Sequence, residues 1–143
     1  MKAAVDTDVL AIYHLFRKDR RSSVNERFLA SVRGRAMTTI HNVLELCGLF
    51  ALAGMLSAVE EVQLKYLRIA RDIQVFFPDP EPDWGLYVES LTKYIGRGLS
   101  YGDAVVAKAV EQSEAGFFIT WNKKHFDKKL NIPVYTPEEF LMK

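Results

Sequence analysis

Ala3-Ala4-Val5-Asp6-Thr7-Asp8-Val9-Leu10 opens the chain with three small or branched apolar residues that stop at an acid. A short uncharged run ended by a polar residue reads as a buried strand running into a loop. The pattern returns in Ala36-Met37-Thr38-Thr39-Ile40, Val75-Phe76-Phe77, Phe117-Phe118-Ile119-Thr120 and Val134-Tyr135, rich in β-branched and aromatic residues. Between these runs apolar residues recur at helical spacing. Near-continuously apolar strands separated by helices predict a parallel sheet of four or five strands covered on both faces, a three-layer α/β/α fold.

The helical stretches are bounded by ordinary punctuation. Val9, Ile12, Tyr13 and Phe16 mark a first helix. Ser22 or Ser23 is placed to cap a second, which carries Val24, Phe28, Leu29 and Val32 and ends at Gly34. A long helix is predicted from about His41 to Gly54, and another from about Ser57 through Val59, Val62, Tyr66, Ile69 and Ile73. The prolines of Pro78-Asp79-Pro80-Glu81-Pro82 forbid regular structure. Trp84, Tyr87, Val88, Leu91 and Ile95 form the next helix, stopped by Gly96 and Gly98. Ser100 is expected to cap the one after it, with Asp103 in the capping-box position. Thr136-Pro137-Glu138-Glu139 starts a short last helix. Neither half would bury a core alone, so residues 1–143 are expected to form one domain.

Composition narrows the function classes. With 49% hydrophobic and 26% charged residues, the chain of 143 residues supports a packed core and is no disordered tail. A net charge of +1 excludes a strongly basic nucleic-acid clamp, so any RNA must be held by a local patch. The lone Cys47 excludes an internal disulfide and fits a reducing cytosol. Asp6 and Asp8 stand where a signal peptide needs apolar residues. The run from Leu46 to Val59 is shorter than the roughly 18–20 residues of a membrane span. A cytoplasmic protein without a membrane anchor is expected.

The acids carry the chemistry. Asp6 directly follows the first strand, and Glu45 lies little more than a turn beyond the second. Only Glu114-Ala115-Gly116 separates the helix opened by Asp103 from the strand Phe117–Thr120, so the two must run antiparallel. That brings Asp103 near the strand's carboxyl end, beside Thr120 and Asn122. In open parallel sheets ligands sit at the carboxyl ends of strands, where the strand order reverses. Carboxylates gathered without histidine or thiol partners suit hard cations such as Mg²⁺ or Mn²⁺. Unpaired, they repel and raise one another's pKa, and a divalent ion removes that penalty and activates a water. Singly, each has a plainer role: Asp103 as a capping residue, Glu45 as a solvated helix glutamate, Asn122 as a turn residue or cap.

The combination resembles the PIN-domain nucleases and, at this length, the VapC-type toxins. Val5-Asp6-Thr7-Asp8-Val9-Leu10 resembles the family's opening motif and Asn42-Val43-Leu44-Glu45-Leu46 its second, acidic one. Leu99-Ser100-Tyr101-Gly102-Asp103-Ala104-Val105-Val106-Ala107 resembles the third, and Phe118-Ile119-Thr120-Trp121-Asn122-Lys123-Lys124-His125-Phe126 the last. The resemblance implies that Asp6, Glu45 and Asp103 ligate one or two Mg²⁺ or Mn²⁺ ions, supported by Thr7 and Thr120, with Asn122 in a fourth position. It implies hydrolysis of RNA phosphodiester bonds, a homodimer, and a small antitoxin encoded beside the chain.

Three positions depart from the family pattern. Many members carry aspartate where Asn122 stands, a further acid often occurs where His125 stands, and a neutral residue is common where Asp8 offers an extra outer oxygen. Lys123, Lys124 and His125 are candidate RNA contacts, with Lys128 and Lys129 near them. Arg17, Lys18, Arg20 and Arg21 form a second basic cluster. Trp121 is read either as a base-stacking residue or as a core or interface one. Two alternatives stay open: a degenerate PIN domain that binds RNA or protein without cutting, and a haloacid-dehalogenase-type phosphatase with Asp6 as nucleophile.

Overall fold

A computed structural model describes residues 1–69 and 72–143. In chain order it contains β1 (Lys2–Val5), α1 (Thr7–His14), α2 (Ser22–Ser31), β2 (Ala36–Thr39), α3 (Ile40–Leu52) and α4 (Leu56–Leu64). There follow β3 (Ile73–Phe76), α5 (Trp84–Ile95), α6 (Tyr101–Gln112), β4 (Ala115–Ile119), α7 (Lys123–Phe126), β5 (Val134–Tyr135) and α8 (Pro137–Leu141). The five strands form one parallel sheet in the order β3-β2-β1-β4-β5. The order reverses between β1 and β4, so the carboxyl ends of these two strands flank the crevice where such sheets take ligands.

Successive strand residues face opposite sides, and the core divides accordingly. Ala3 and Val5 of β1, Ala36 of β2 and Ile119 of β4 pack with Val9 and Leu10 of α1, Phe28 of α2, Val43, Leu46 and Phe50 of α3 and Val62 of α4. Ala4, Met37 and Phe118 point the other way, onto Leu91 of α5, Ala104, Ala107 and Val110 of α6 and Phe126 of α7. The three layers expected from the strand pattern are present. Among the described residues no helix is long and apolar enough to cross a membrane.

Several local expectations are corrected. Phe16 lies beyond the end of α1 and is exposed. Ser22 belongs to the first turn of α2, whose N-cap is Arg21 without a side-chain bond. The helix from residue 56 does not reach Ile73: after Leu64 it widens into a π-helical turn, Lys65–Ile69, and Ile73 starts β3, paired with Ala36. Ala115 and Gly116, expected in a connection, belong to β4. Only half of the box at α6 forms. The Ser100 hydroxyl accepts from the Asp103 N–H at 3.3 Å, while the Asp103 carboxylate turns to His125 instead.

Candidate active site

The site is built from the carboxyl end of β1 outward. Asp6 caps α1 and is buried, with Oδ1 accepting from the Thr7 N–H at 2.8 Å and from Asn42 Nδ2 at 3.1 Å. Its other oxygen accepts from the Thr120 hydroxyl at 2.8 Å, directly after β4. Thr7 donates its own hydroxyl to Glu45 Oε1 at 2.7 Å and accepts from Asn42 Nδ2 at 2.9 Å. Asn42 is fully buried and closes a reciprocal capping box with Thr39 at the start of α3. One amide therefore fixes the helix that carries Glu45 and the residues that position Asp6.

Asp8 completes the second half. Its Oδ2 accepts from the Thr120 hydroxyl at 3.0 Å and from the backbone N–H groups of Trp121 at 3.0 Å and Asn122 at 3.1 Å. Its Oδ1 is buried and, among the described residues, finds no donor. Thr120 has one hydroxyl hydrogen facing two carboxylates. Asp103, half-buried on α6, stands 3.5 Å from His125 Nδ1, and its charge acts on Glu45. The neighbouring Gly102 also approaches Glu45: a Cβ there would lie 3.9 Å from Oε2.

The electrostatics follow from that gathering. Burial, then the Asp8 charge, pushes the Asp6 carboxyl well above its usual range, against hydrogen bonds from Thr120 and Thr7, and Glu45 adds a further push. Burial raises Asp8 against the bonds from Thr120, Asn122 and Trp121. Glu45 is raised by burial and then by the charges of Asp103 and Asp8, opposed by the Thr7 bond. The amino ends of α1 and α6, where Asp6 and Asp103 sit, favour negative charge and offset part of the repulsion.

Asp6, Thr7, Asp8, Glu45 and Thr120 thus share one network, and Asp103 borders it. Asn122 reaches it through its backbone; its side chain is exposed and makes no cap bond. Lys123 is ion-paired with Glu139 at 2.9 Å, whereas Lys124 is exposed. Trp121 is pinned: its indole N–H donates to the buried Asn25 at 2.8 Å, and Asn25 donates to the Val9 carbonyl at 3.0 Å. The supporting roles of Asn42 and Asn25 escaped the sequence reading. Thr39 and Asn42 at capping-box spacing gave a signal for the first; nothing local marks the second.

An all-oxygen donor set with an undonated buried carboxylate oxygen fits a hard divalent cation. Among the described residues no three histidine, cysteine or acidic side chains already close around one point, so the carboxylates would have to draw closer to take an ion.

A parallel α/β sheet with acids clustered at its switch point defines the class: a three-layer α/β/α fold with buried carboxylates at the carboxyl ends of its central strands. The particular fold is that of the PIN-domain toxins of the VapC and FitB type. It is shared with a Mycobacterium tuberculosis VapC described as a sarcin-ricin loop cleaving toxin, at TM-score 0.60 and 19% identity over 82% of this chain and 87% of that one. FitAcB from Neisseria gonorrhoeae matches at TM-score 0.63 and 17% identity, over 95% and 98% of the two chains. VapBC-1 from nontypeable Haemophilus influenzae matches at TM-score 0.60 and 19% identity, over 96% and 99%. At these identities the likeness is one of fold. Neither a protein-family model nor a curated protein matches the chain.

Proposed function

We propose that the chain is a Mg²⁺- or Mn²⁺-dependent endoribonuclease, the toxin of a toxin–antitoxin pair. The observation that carries this reading is the burial of Asp6 and Asp8 against one shared Thr120 hydroxyl, with Glu45 and Asp103 beside them, at the switch point of a toxin-type sheet. Asp6, Glu45 and Asp103 would hold the ion, and Asp8 would offer an outer oxygen. When bound, the ion supplies charge neutralisation at phosphate and a water acidic enough to attack it. The chain's own residues do the positioning. Asn42 and Thr120 orient Asp6, Thr7 aims Glu45, and Asp8 holds the Trp121–Asn122 backbone, which sets where α7 presents Lys124 and His125 to a phosphate.

A phosphatase using Asp6 as nucleophile is disfavoured, because no second acid follows Asp103 before Glu111. By analogy with a toxin–antitoxin complex of the same fold, the partner is an antitoxin, and the resemblance of the motifs further implies a homodimer acting in the cytoplasm. Exposed Leu44, Leu52 and Leu56 on α3 and α4 supply apolar surface for such partners.

The test is cleavage of RNA by the purified wild type beside Asp6→Asn and Asp103→Asn. Wild-type cleavage should need Mg²⁺ or Mn²⁺ and fall at least a hundredfold in either variant, about 2.7 kcal/mol of lost barrier stabilisation. Equal activity in all three would assign the cleavage to a contaminant and sink the reading.

A further inference from the structure

Between α1 and α2 the chain makes a turn that the acid cluster does not use. Leu15, Phe16, Arg17, Lys18 and Asp19 line a shallow depression there of about 430 Å³. Phe16 leaves 48% of its surface in water, in a chain that buries Phe28, Phe118 and Phe126 completely. Arg17, Lys18 and Arg20 are exposed around it.

The turn is ordered by its own bonds. The Arg21 guanidinium donates to both oxygens of Asp19 at 3.0 Å, and its backbone N–H donates to Asp19 at 2.8 Å. The one acid of the turn is thereby neutralised, and Arg17, Lys18 and Arg20 keep their charge for another partner. Arg17 is steered by a bond from Nε to the Tyr13 carbonyl at 3.2 Å. Arg21 lies over the Trp121 ring at 5.4 Å, and the Trp121 backbone is held by Asp8. The turn is therefore braced against the wall of the candidate active site.

We propose that this turn grips unpaired RNA next to the cleavage site, Phe16 stacking on a base while Arg17 and Arg20 neutralise phosphates. The inference rests on the ribonuclease reading and names where the substrate extends. An aromatic face among cations is how single strands are held without sequence reading. With a net charge of +1, the chain must concentrate its attraction for RNA in such patches. An acidic protein segment would match the charges too. The brace through Arg21 and Trp121, however, ties the turn to the backbone that Asp8 holds, so a strand bound at the turn lies on the side of the fold that carries the acids.

The test is binding of a labelled single-stranded RNA of about ten nucleotides, followed by fluorescence anisotropy in EDTA, where metal-dependent cleavage is silent. Phe16→Ala should weaken binding about fivefold or more. Arg17→Ala with Arg20→Ala should weaken it at least tenfold and lower the slope of log Kd against log salt by about 1.4, two single-strand phosphates. Arg17→Lys with Arg20→Lys should keep the slope, and a duplex of the same sequence should compete poorly. Unchanged affinity and slope in the alanine variants, or loss of polyglutamate binding with RNA binding intact, would overturn the proposal. Loss of the nuclease reading would show separately, as absence of metal-dependent cleavage by a chain that still binds RNA through the turn.

Discussion

Replacing Asp6 by asparagine should make the metal-free protein more stable and the metal-loaded protein less so. Asp6 and Asp8 each present an oxygen to the Thr120 hydroxyl, at 2.8 and 3.0 Å, so the two oxygens lie no more than about 5.8 Å apart. Two full charges at that distance repel by about 3 kcal/mol at an effective dielectric of about 20. Because burial raises both carboxyls, proton uptake relieves part of this, leaving roughly 1–2 kcal/mol to be recovered. The introduced amide can donate to the Thr120 oxygen, freeing the single hydroxyl hydrogen for Asp8, so no bond need be lost. In EDTA, D6N should melt about 3–7 °C above the wild type. Saturating Mn²⁺ at about a hundred times its Kd should stabilise the wild type by about 2.7 kcal/mol and leave the variant unmoved, reversing their order. A carboxyl raised on folding stabilises most below its unfolded pKa near 4 and loses that contribution as pH rises. The metal-free wild type should therefore gain stability on mild acidification, and D6N should gain less. Thermal melts across pH 5–8, with and without Mn²⁺, read all of this. A variant that melts below the wild type in EDTA, or gains equally from Mn²⁺, would refute the reasoning.

Two further outcomes follow from groups outside the cluster. His14 accepts from or donates to the Tyr66 hydroxyl at 2.5 Å, and burial, then the charges of Lys65 and Arg17, pushes its pKa down to about 4. Its contribution is whole above the unfolded value near 6.5 and is lost as pH falls toward 4. Urea titrations should show about 2–3 kcal/mol of stability disappearing over that window, and a His14→Gln variant with the same pH slope would dismiss the account. Asn25→Ala strips a partner from both the Trp121 indole and the Val9 carbonyl in a buried position. It should lower stability by about 2–4 kcal/mol and shift tryptophan emission to the red; an unshifted spectrum with unchanged stability would contradict it.

The sheet was legible because its strands are short apolar runs ended by polar residues, as at Val5-Asp6 and Ile119-Thr120. Asp6, Glu45 and Asp103 could be placed from connection lengths alone, since a helix tied closely to the next strand must return beside it. What stayed hidden depends on contacts between distant segments. Asn42 looks like a helix-start residue, yet tertiary packing makes it the donor to both Asp6 and Thr7. Asp103 has the spacing of a capping box, but His125, twenty-two positions on, draws its carboxylate away. Ile73 fits a helical period, and pairing with Ala36 claims it for the sheet.

The bond from Thr120 to Asp6 spans 114 positions, and it ties the residue after β4 to the residue after β1. β1 lies between β2 and β4, so the middle of the sheet stays open on one side until residue 119 has been synthesised. A growing polypeptide still on the ribosome, or one cut short by a protease, carries the acids without the wall that gathers them. The gathering of Asp6 and Asp8 around Thr120 therefore waits on the formation of β4.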